Sequence, residues 1–284
     1  MWPLTERYLD LARAGRNEWW RYLGGALVIA FFWLGLGYLP YILLVGAGMA
    51  TDPLLDFVVI NFSIIMMLGG LAVAVKLGHR RTLMSLVTPE ARVDWRRLAQ
   101  GAGAWLAIAA VIVAVEHLLY PGRYYVSYNP ERFFLFFGLV LVLTPVQCAA
   151  EELVFRGYAM QGLGLITRRP ALIAVASSLL FTAPHLMNPE IGRHGALIMA
   201  ANYFAIGMLL ATITLRDGRL ELAIGLHAAN NVFLALAANY EGSALATESV
   251  FTARELDPVY SLASLIAGAF VFHGWIFRRV PEQP

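Results

Sequence analysis

The chain has few charged residues for its 284-residue length. Asp, Glu, Lys and Arg make up 14% of it and hydrophobic residues 59%, whereas soluble domains contain roughly 25% and 45–50%, respectively. With a mean hydropathy of +0.64, the chain has too little polar surface to coat a water-soluble globule. The surplus apolar surface must face lipid, so we expect the bilayer as a partner and expect no nucleic-acid partner.

The sequence also lacks the short motifs of several enzyme classes. It contains no HExxH zinc motif, no GxSxG nucleophile turn and no phosphate-binding loop. Cys148 is the single cysteine, so no disulfide can form within the chain, and cysteine pairing does not reveal the compartment. A lone buried cysteine usually behaves as a small apolar side chain, and we expect no thiol catalysis.

An early apolar block is missing as well. The first 21 residues carry seven charged side chains before any long apolar run, a pattern unlike that of a cleavable signal peptide. Leu4, Tyr8, Leu11 and Ala12 recur there at helical spacing. This spacing fits a helix that lies in the membrane interface, and it also fits an ordinary tail beside the membrane.

What the sequence does contain is a series of apolar stretches of about 20 residues, the length that a membrane-spanning helix needs. About eight such stretches predict an all-α, polytopic membrane helix bundle that forms a single membrane domain over residues 1–284. They lie near residues 22–46, 54–76, 99–119, 133–153, 171–188, 196–215, 221–239 and 258–277. We expect outside loops over 120–130 and 241–257, the second of them irregular.

The positions of Lys and Arg predict the orientation, because short cytosolic segments are enriched in these residues. If the N-terminus is cytosolic, sixteen of the 21 fall in cytosolic segments and four in outside segments, and Arg156 falls near the inner end of the fourth stretch. The sixteen are Arg7, Arg13, Arg16, Arg21, Lys76, Arg80, Arg81, Arg92, Arg96, Arg97, Arg168, Arg169, Arg216, Arg219, Arg278 and Arg279, and the four are Arg123, Arg132, Arg193 and Arg254. We therefore expect both termini in the cytosol.

Three groups of polar residues interrupt the apolar stretches, where an ionisable side chain costs at least ~2.5–3.5 kcal/mol on insertion scales. In the first group, Glu151 and Glu152 are adjacent and so point about 100° apart on a helix. Glu152 and Arg156 are four residues apart and can form an ion pair, which leaves Glu151 to face a cavity. A solvated helix end is the alternative interpretation.

The other two groups contain histidine. Pro184 disturbs the fifth stretch just before His185, and irregular backbone is tolerated in a membrane where it lines a wet cavity. A loop histidine near the outer interface is the alternative. His227 and Asn231 project from one helical face, either as a functional pair or as contacts that hold helices together. Together the groups supply a carboxylate, two imidazoles and an amide, which can activate water and stabilise an oxyanion.

These residues follow the order EExxxR (Glu151–Arg156), FxxxH (Phe181–His185) and HxxxN (His227–Asn231). In this order they resemble the motifs of the CPBP (ABI) family of intramembrane proteases. That family contains the type II CAAX-prenyl endopeptidases and bacterial relatives tied to bacteriocin processing and self-immunity. The resemblance covers roughly residues 145–235, which we take as the catalytic core, and three motifs in order are more specific than any one alone.

The resemblance implies a role for each residue. Glu151 corresponds to the glutamate that activates the attacking water, and His185 to a residue that helps to hold this water. His227 and Asn231 correspond to the pair that stabilises the oxyanion, and the ion pair corresponds to a supporting one. Such a mechanism requires no cofactor. Zinc stays open, because Glu151, His185 and His227 form a set of the kind found in catalytic zinc sites and the family has often been described as metalloproteases.

The sequence thus predicts an intramembrane endopeptidase that hydrolyses a peptide bond with a glutamate-activated water, at a site that opens toward the cytosol. We expect its substrate to be a peptide or protein tail near the membrane, and its location to be the inner membrane of a bacterial cell. Two alternatives come from other classes. One is a proton-coupled secondary transporter, although the chain shows no internal repeat of the kind common in transporters. The other is a non-catalytic immunity or binding protein of the same fold.

Overall fold

The protein is an integral membrane protein whose described residues form an all-α, polytopic bundle. The computed structural model describes residues 3–46, 48, 52–244 and 247–278, so both chain ends, with Arg279, lie outside the described residues. Six helical stretches are long and apolar enough to cross a membrane. These are Trp19–Gly46, Pro53–Gly78, Trp95–Leu119, Pro130–Ile166, Ala196–Asp217 and Pro258–Phe277.

Two shorter apolar helices, Pro170–His185 and Glu221–Leu236, occupy the places of the fifth and seventh predicted stretches. Each has 16 residues, about 24 Å of helix, against roughly 30 Å for the hydrocarbon core of a bilayer. All eight apolar stretches are therefore helical, but only six have the length of a full span. The two short helices carry His185, His227 and Asn231.

The elements follow one another in a fixed order along the described chain. The helices are α1 (Pro3–Asp10), α2 (Trp19–Ala30), α3 (Leu39–Gly46), α4 (Pro53–Val73), α5 (Met84–Val87), α6 (Trp95–Leu119), α7 (Pro130–Glu152), α8 (Met160–Ile166), α9 (Pro170–His185), α10 (Pro189–His194), α11 (Ala196–Asp217), α12 (Glu221–Leu236) and α13 (Pro258–Phe277). A short 3-10 turn, Leu11–Ala14, follows α1. Segments of π-helix link α2 to α3 (Phe31–Gly37), extend α4 (Ala74–Gly78) and link α7 to α8 (Leu153–Ala159).

A small sheet joins one strand from each of the two loops predicted on the outside with a third strand at the end of the seventh predicted stretch, so the second loop is more regular than expected. Its strands are β1 (Tyr124–Val126), β2 (Ala238–Tyr240) and β3 (Phe251–Ala253). β3 lies in the middle, antiparallel to β1 and parallel to β2. In strands of three residues, the alternation of apolar and polar side chains is too short to be recognised in a sequence. We call this end of the bundle the sheet end, and the opposite end, with connections 79–94, 167–169 and 218–220, the arginine end.

Helix α1 packs into the arginine end of the bundle. Tyr8 and Leu9 are fully buried, while Leu4 remains 44% exposed. The Tyr8 hydroxyl donates hydrogen bonds to the carbonyl oxygens of Leu86, at 2.7 Å, and Arg156, at 3.1 Å. Neither an interfacial helix nor a loose tail describes this arrangement, because the apolar face of α1 contacts protein.

Helices α6 and α12 approach each other closely through glycine. A Cβ atom added at Gly225 would lie 2.1 Å from the Leu98 carbonyl oxygen, and one added at Gly101 would lie 2.3 Å from that of Leu222. The indole of Trp105 also donates a hydrogen bond to the Asn230 side chain at 2.9 Å. This contact fixes the height of α12 in the bundle, and with it the height of its polar residues.

We expect Gly225→Ala and Gly101→Ala to lower the thermal unfolding temperature of the protein in detergent. An added methyl group forces two backbones apart, and overpacking of this kind costs about 1–3 kcal/mol. Gly103→Ala is the matched control, because nothing lies within 4 Å of its added Cβ. Equal melting temperatures for all three variants would contradict the close approach of α6 and α12.

Candidate active site

The carboxylate group on α7 lies inside the bundle. The sequence placed it at the end of the fourth span, but α7 continues through the π-segment into α8 as one helical stretch, Pro130–Ile166. Glu152 and Arg156 are fully buried, and Glu151 is 6% exposed. The interpretation of a solvated helix end is therefore wrong. The π-segment begins directly after Glu152, and such segments occur frequently at functional sites.

Glu152 and Arg156 form the ion pair that their spacing predicts. Arg156 Nη1 lies 2.9 Å from Glu152 Oε1, and Arg156 Nη2 donates to the Gly207 carbonyl oxygen on α11 at 3.2 Å. The guanidinium carbon also lies 4.3 Å from the centre of the Phe181 ring on α9. One buried cation thus joins the π-segment to three helices.

His227 on α12 contacts the same carboxylate. Its Nδ1 lies 2.8 Å from Glu152 Oε1, and since a carboxylate oxygen accepts, Nδ1 carries the proton. The other ring nitrogen, Nε2, lies 3.7 Å from Glu151 Oε2 and 3.5 Å from the Asn231 side-chain nitrogen. The imidazole is thus held on one side by Glu152 and presents its other side to Glu151 and Asn231.

Gln147 contacts the Glu151 carboxylate and was not predicted from the sequence. Its side-chain nitrogen donates to Glu151 Oε1 at 2.7 Å, and it is 4% exposed. The other oxygen, Glu151 Oε2, has no hydrogen-bond partner among the described residues. The position of Gln147 could have indicated this contact, because it is four residues before Glu151 and residues four apart share a helix face. Gln147 therefore orients Glu151 and leaves one carboxylate oxygen available.

His185 is the last residue of α9, directly after Pro184, and it lies in the bundle rather than in a loop. Its Nδ1 donates to the Phe181 carbonyl oxygen at 2.7 Å, which leaves Nε2 as the acceptor of a neutral ring. The ring packs between those of Phe181 and Tyr203, with centroids at 4.4 and 4.7 Å. The interpretation as a loop histidine is wrong.

A single cavity of about 390 Å³ brings the predicted residues together, and Glu151, His185, His227 and Asn231 all line it. The rest of its wall is partly apolar, with Trp33, Ile60, Ile64, Met67, Phe155 and Phe181. Toward the sheet end the lining continues with residues 187–190, 239–240 and 243–244. A cytosolic opening and cytosolic termini were both expected, but the described termini lie at the opposite end of the bundle. The opening of the cavity and the two termini therefore cannot both be on the cytosolic side.

The residues of the zinc alternative do not form a metal site in this arrangement. Among the described residues, no three His, Cys, Asp or Glu side chains are grouped as metal ligands. His227 Nδ1 is bound to Glu152 and Glu151 Oε1 to Gln147. As the side chains stand, Glu151, His185 and His227 are therefore not grouped around a common point that an ion could occupy.

Comparison with known proteins relates the segment that carries the three motifs to a known family. Residues 130–233 match the sequence model of a family described as "Type II CAAX prenyl endopeptidase Rce1-like". The segment contains all three motifs, so the resemblance to this family, which is one of proteases, is confirmed. The chain is also 28% identical to "Uncharacterized protein YyaK" of Bacillus subtilis (strain 168), over 93% of this chain and 94% of the relative. No solved structure matches the chain.

Replacing Arg156 with methionine should destabilise the protein strongly. The Glu152 carboxylate would remain fully buried without its cation, and breaking a buried pair in this way costs about 3–5 kcal/mol. Thermal unfolding in detergent measures the loss, with Arg92→Met at an exposed position as the control. If Arg156→Met unfolds at the same temperature as Arg92→Met, the buried pair does not stabilise the bundle.

Proposed function

We propose that the protein is an intramembrane endopeptidase in which the Glu151 carboxylate activates the water that attacks a peptide bond. The observation that carries the proposal is that two adjacent carboxylates have different surroundings. Glu152 is fully buried and bound to Arg156 and His227. Glu151 lines the cavity with one oxygen held by Gln147 and the other without a hydrogen-bond partner among the described residues.

In this mechanism the free oxygen of Glu151 accepts a proton from water as the water oxygen attacks the carbonyl carbon of the substrate. The carbonyl oxygen becomes a tetrahedral oxyanion. When the carbon–nitrogen bond breaks, Glu151 returns the proton to the leaving amine. The neutral His185 ring, with Nδ1 bound to the Phe181 carbonyl, offers Nε2 as an acceptor that orients the same water.

The oxyanion is stabilised from α12. The Asn231 amide is a donor that lies 3.5 Å from His227 Nε2, so both groups serve the same region of the cavity. His227 Nε2 can donate only when both ring nitrogens are protonated, a form that the Glu152 carboxylate on Nδ1 stabilises. Hydrogen-bond donors placed in advance around a developing oxyanion are commonly worth about 2.7–4 kcal/mol each.

The substrate is proposed to be a peptide or protein segment at the membrane, because the apolar part of the cavity wall can receive apolar side chains. The proposed location is the inner membrane of a bacterial cell. The family match supports CAAX-type proteolysis in general terms. We propose neither a prenyl group on the substrate nor a metal in the reaction.

The Glu151→Gln variant should lose proteolysis while it still inserts and folds. The amide keeps the size of the side chain but is too weak a base to take a proton from water. Mass spectrometry of membrane peptides from cells with the wild-type protein and with the variant measures the loss as cleavage products that disappear. Glu131→Gln, at an exposed position on the same helix, is the matched control and should keep all products.

Retained products in the Glu151→Gln sample would remove Glu151 from the chemistry. If Glu151→Gln restores a cellular phenotype of the deletion strain as well as the wild type does, the non-catalytic binding or immunity function is correct instead.

Chelation should leave the products unchanged. The carboxylate, imidazole and amide groups supply base and oxyanion donors, so purified protein treated exhaustively with a chelator should cleave at its original rate. Addition of zinc afterwards should give no increase. A loss of cleavage that zinc alone reverses would contradict this, and would show that Glu151, His185 and His227 rearrange around a metal.

A further inference from the structure

We infer that the catalytic cavity opens to the non-cytosolic side of the membrane and receives polypeptide segments from that side. The statement about substrates rests on the proposed function, whereas the side of the opening does not. The side of the opening follows from three features: the residues that line the cavity toward each end, the buried layer that closes one end, and the positions of the arginines.

The lining of the cavity is asymmetric along the bundle. Beyond the catalytic residues it continues through Met187 and Glu190 to Asn239 and Ala244, all in the connections of the sheet end. Met187, at this rim, is 88% exposed. In the part of the chain that the structure describes, the arginine-end connections 79–94, 167–169 and 218–220 contribute no lining residue. The cavity therefore opens to water at the sheet end.

A buried layer closes the opposite direction. Behind Glu152 lies Arg156, fully buried, whose carbonyl oxygen accepts a hydrogen bond from the Tyr8 hydroxyl. Gly157 packs against Leu86, which is itself fully buried. A substrate from the arginine end would have to displace α1 and break these contacts, so this direction is sealed in the folded protein.

The charges assign the two ends to the two sides of the membrane. Of the 20 Lys and Arg residues that the structure describes, fifteen belong to the arginine end and four to the sheet end. An excess of this sign and size marks the cytosolic side of multi-spanning proteins. The sealed end therefore faces the cytosol, and the open end faces away from it.

The rim also has the chemistry of a site for a polypeptide. Glu190 is 1% exposed and lines the cavity, and its Oε1 accepts from the Tyr240 hydroxyl at 2.8 Å and the Ala244 backbone nitrogen at 2.7 Å. These bonds fix the 240–244 loop over α10. The cavity thus has a fixed polar rim above an apolar wall, which suits an exported chain with apolar side chains near the membrane.

Cysteine labelling tests the side of the opening. Met187→Cys and Ala244→Cys place a thiol at the rim, and Arg92→Cys places one at an exposed position of the arginine end. Right-side-out membrane vesicles are treated with a membrane-impermeant maleimide, intact or after permeabilisation. For both rim variants we expect a ratio of permeabilised to intact labelling near unity, and for Arg92→Cys a ratio far above unity.

The opposite pattern, with Arg92→Cys labelled in intact vesicles and the rim labelled only after permeabilisation, would overturn the inference. The native Cys148 is fully buried, so it should react only after denaturation, and this checks that each variant is folded. The same labelling in a Glu151→Gln background separates the two proposals, because the side of the opening does not depend on catalysis.

Discussion

The arrangement of the site depends on one carboxylate oxygen, Glu152 Oε1, which accepts from both Arg156 and His227. Because the group is fully buried, its charge must be compensated by protein. The cation and the imidazole come from the π-segment and α12, and the guanidinium also reaches α11. A shift of any of these elements would leave a charge unpaired in a medium of low dielectric, where such a loss is large. The ion pair therefore holds the backbone that positions its neighbour, Glu151.

Much of the bundle could be predicted from the sequence, because long apolar runs have one physical solution in a bilayer. The positions of the eight stretches and the meeting of the three motif groups belong to this part. The continuation of α7 past Glu152 could not be predicted, because Arg156 looks like a charge at a membrane surface until its partner is seen to be buried with it. Gln147 carries no charge, so it did not stand out among apolar residues.

The side of the opening illustrates the same limit. The arginine count and the motif pattern both come from local residues, and neither says which end of the bundle a cavity reaches. That depends on how helices of unequal length pack, since α9 ends at His185 while α7 continues beyond Glu152. It also depends on Tyr8, whose role needs contacts with residues 78 and 148 positions away.

The docking of α1 has a consequence for the order of assembly during synthesis. The Thr5 hydroxyl bonds the carbonyl oxygen of Leu215, 210 positions along the chain, and α1 packs against α8 and α11. Helix α1 leaves the ribosome before the helices that it packs against, so it must wait until most of the membrane helices have been inserted before it finds its partners. Contacts this distant in sequence form late and slowly. Helix α1 is thus made before its partners but docks after them.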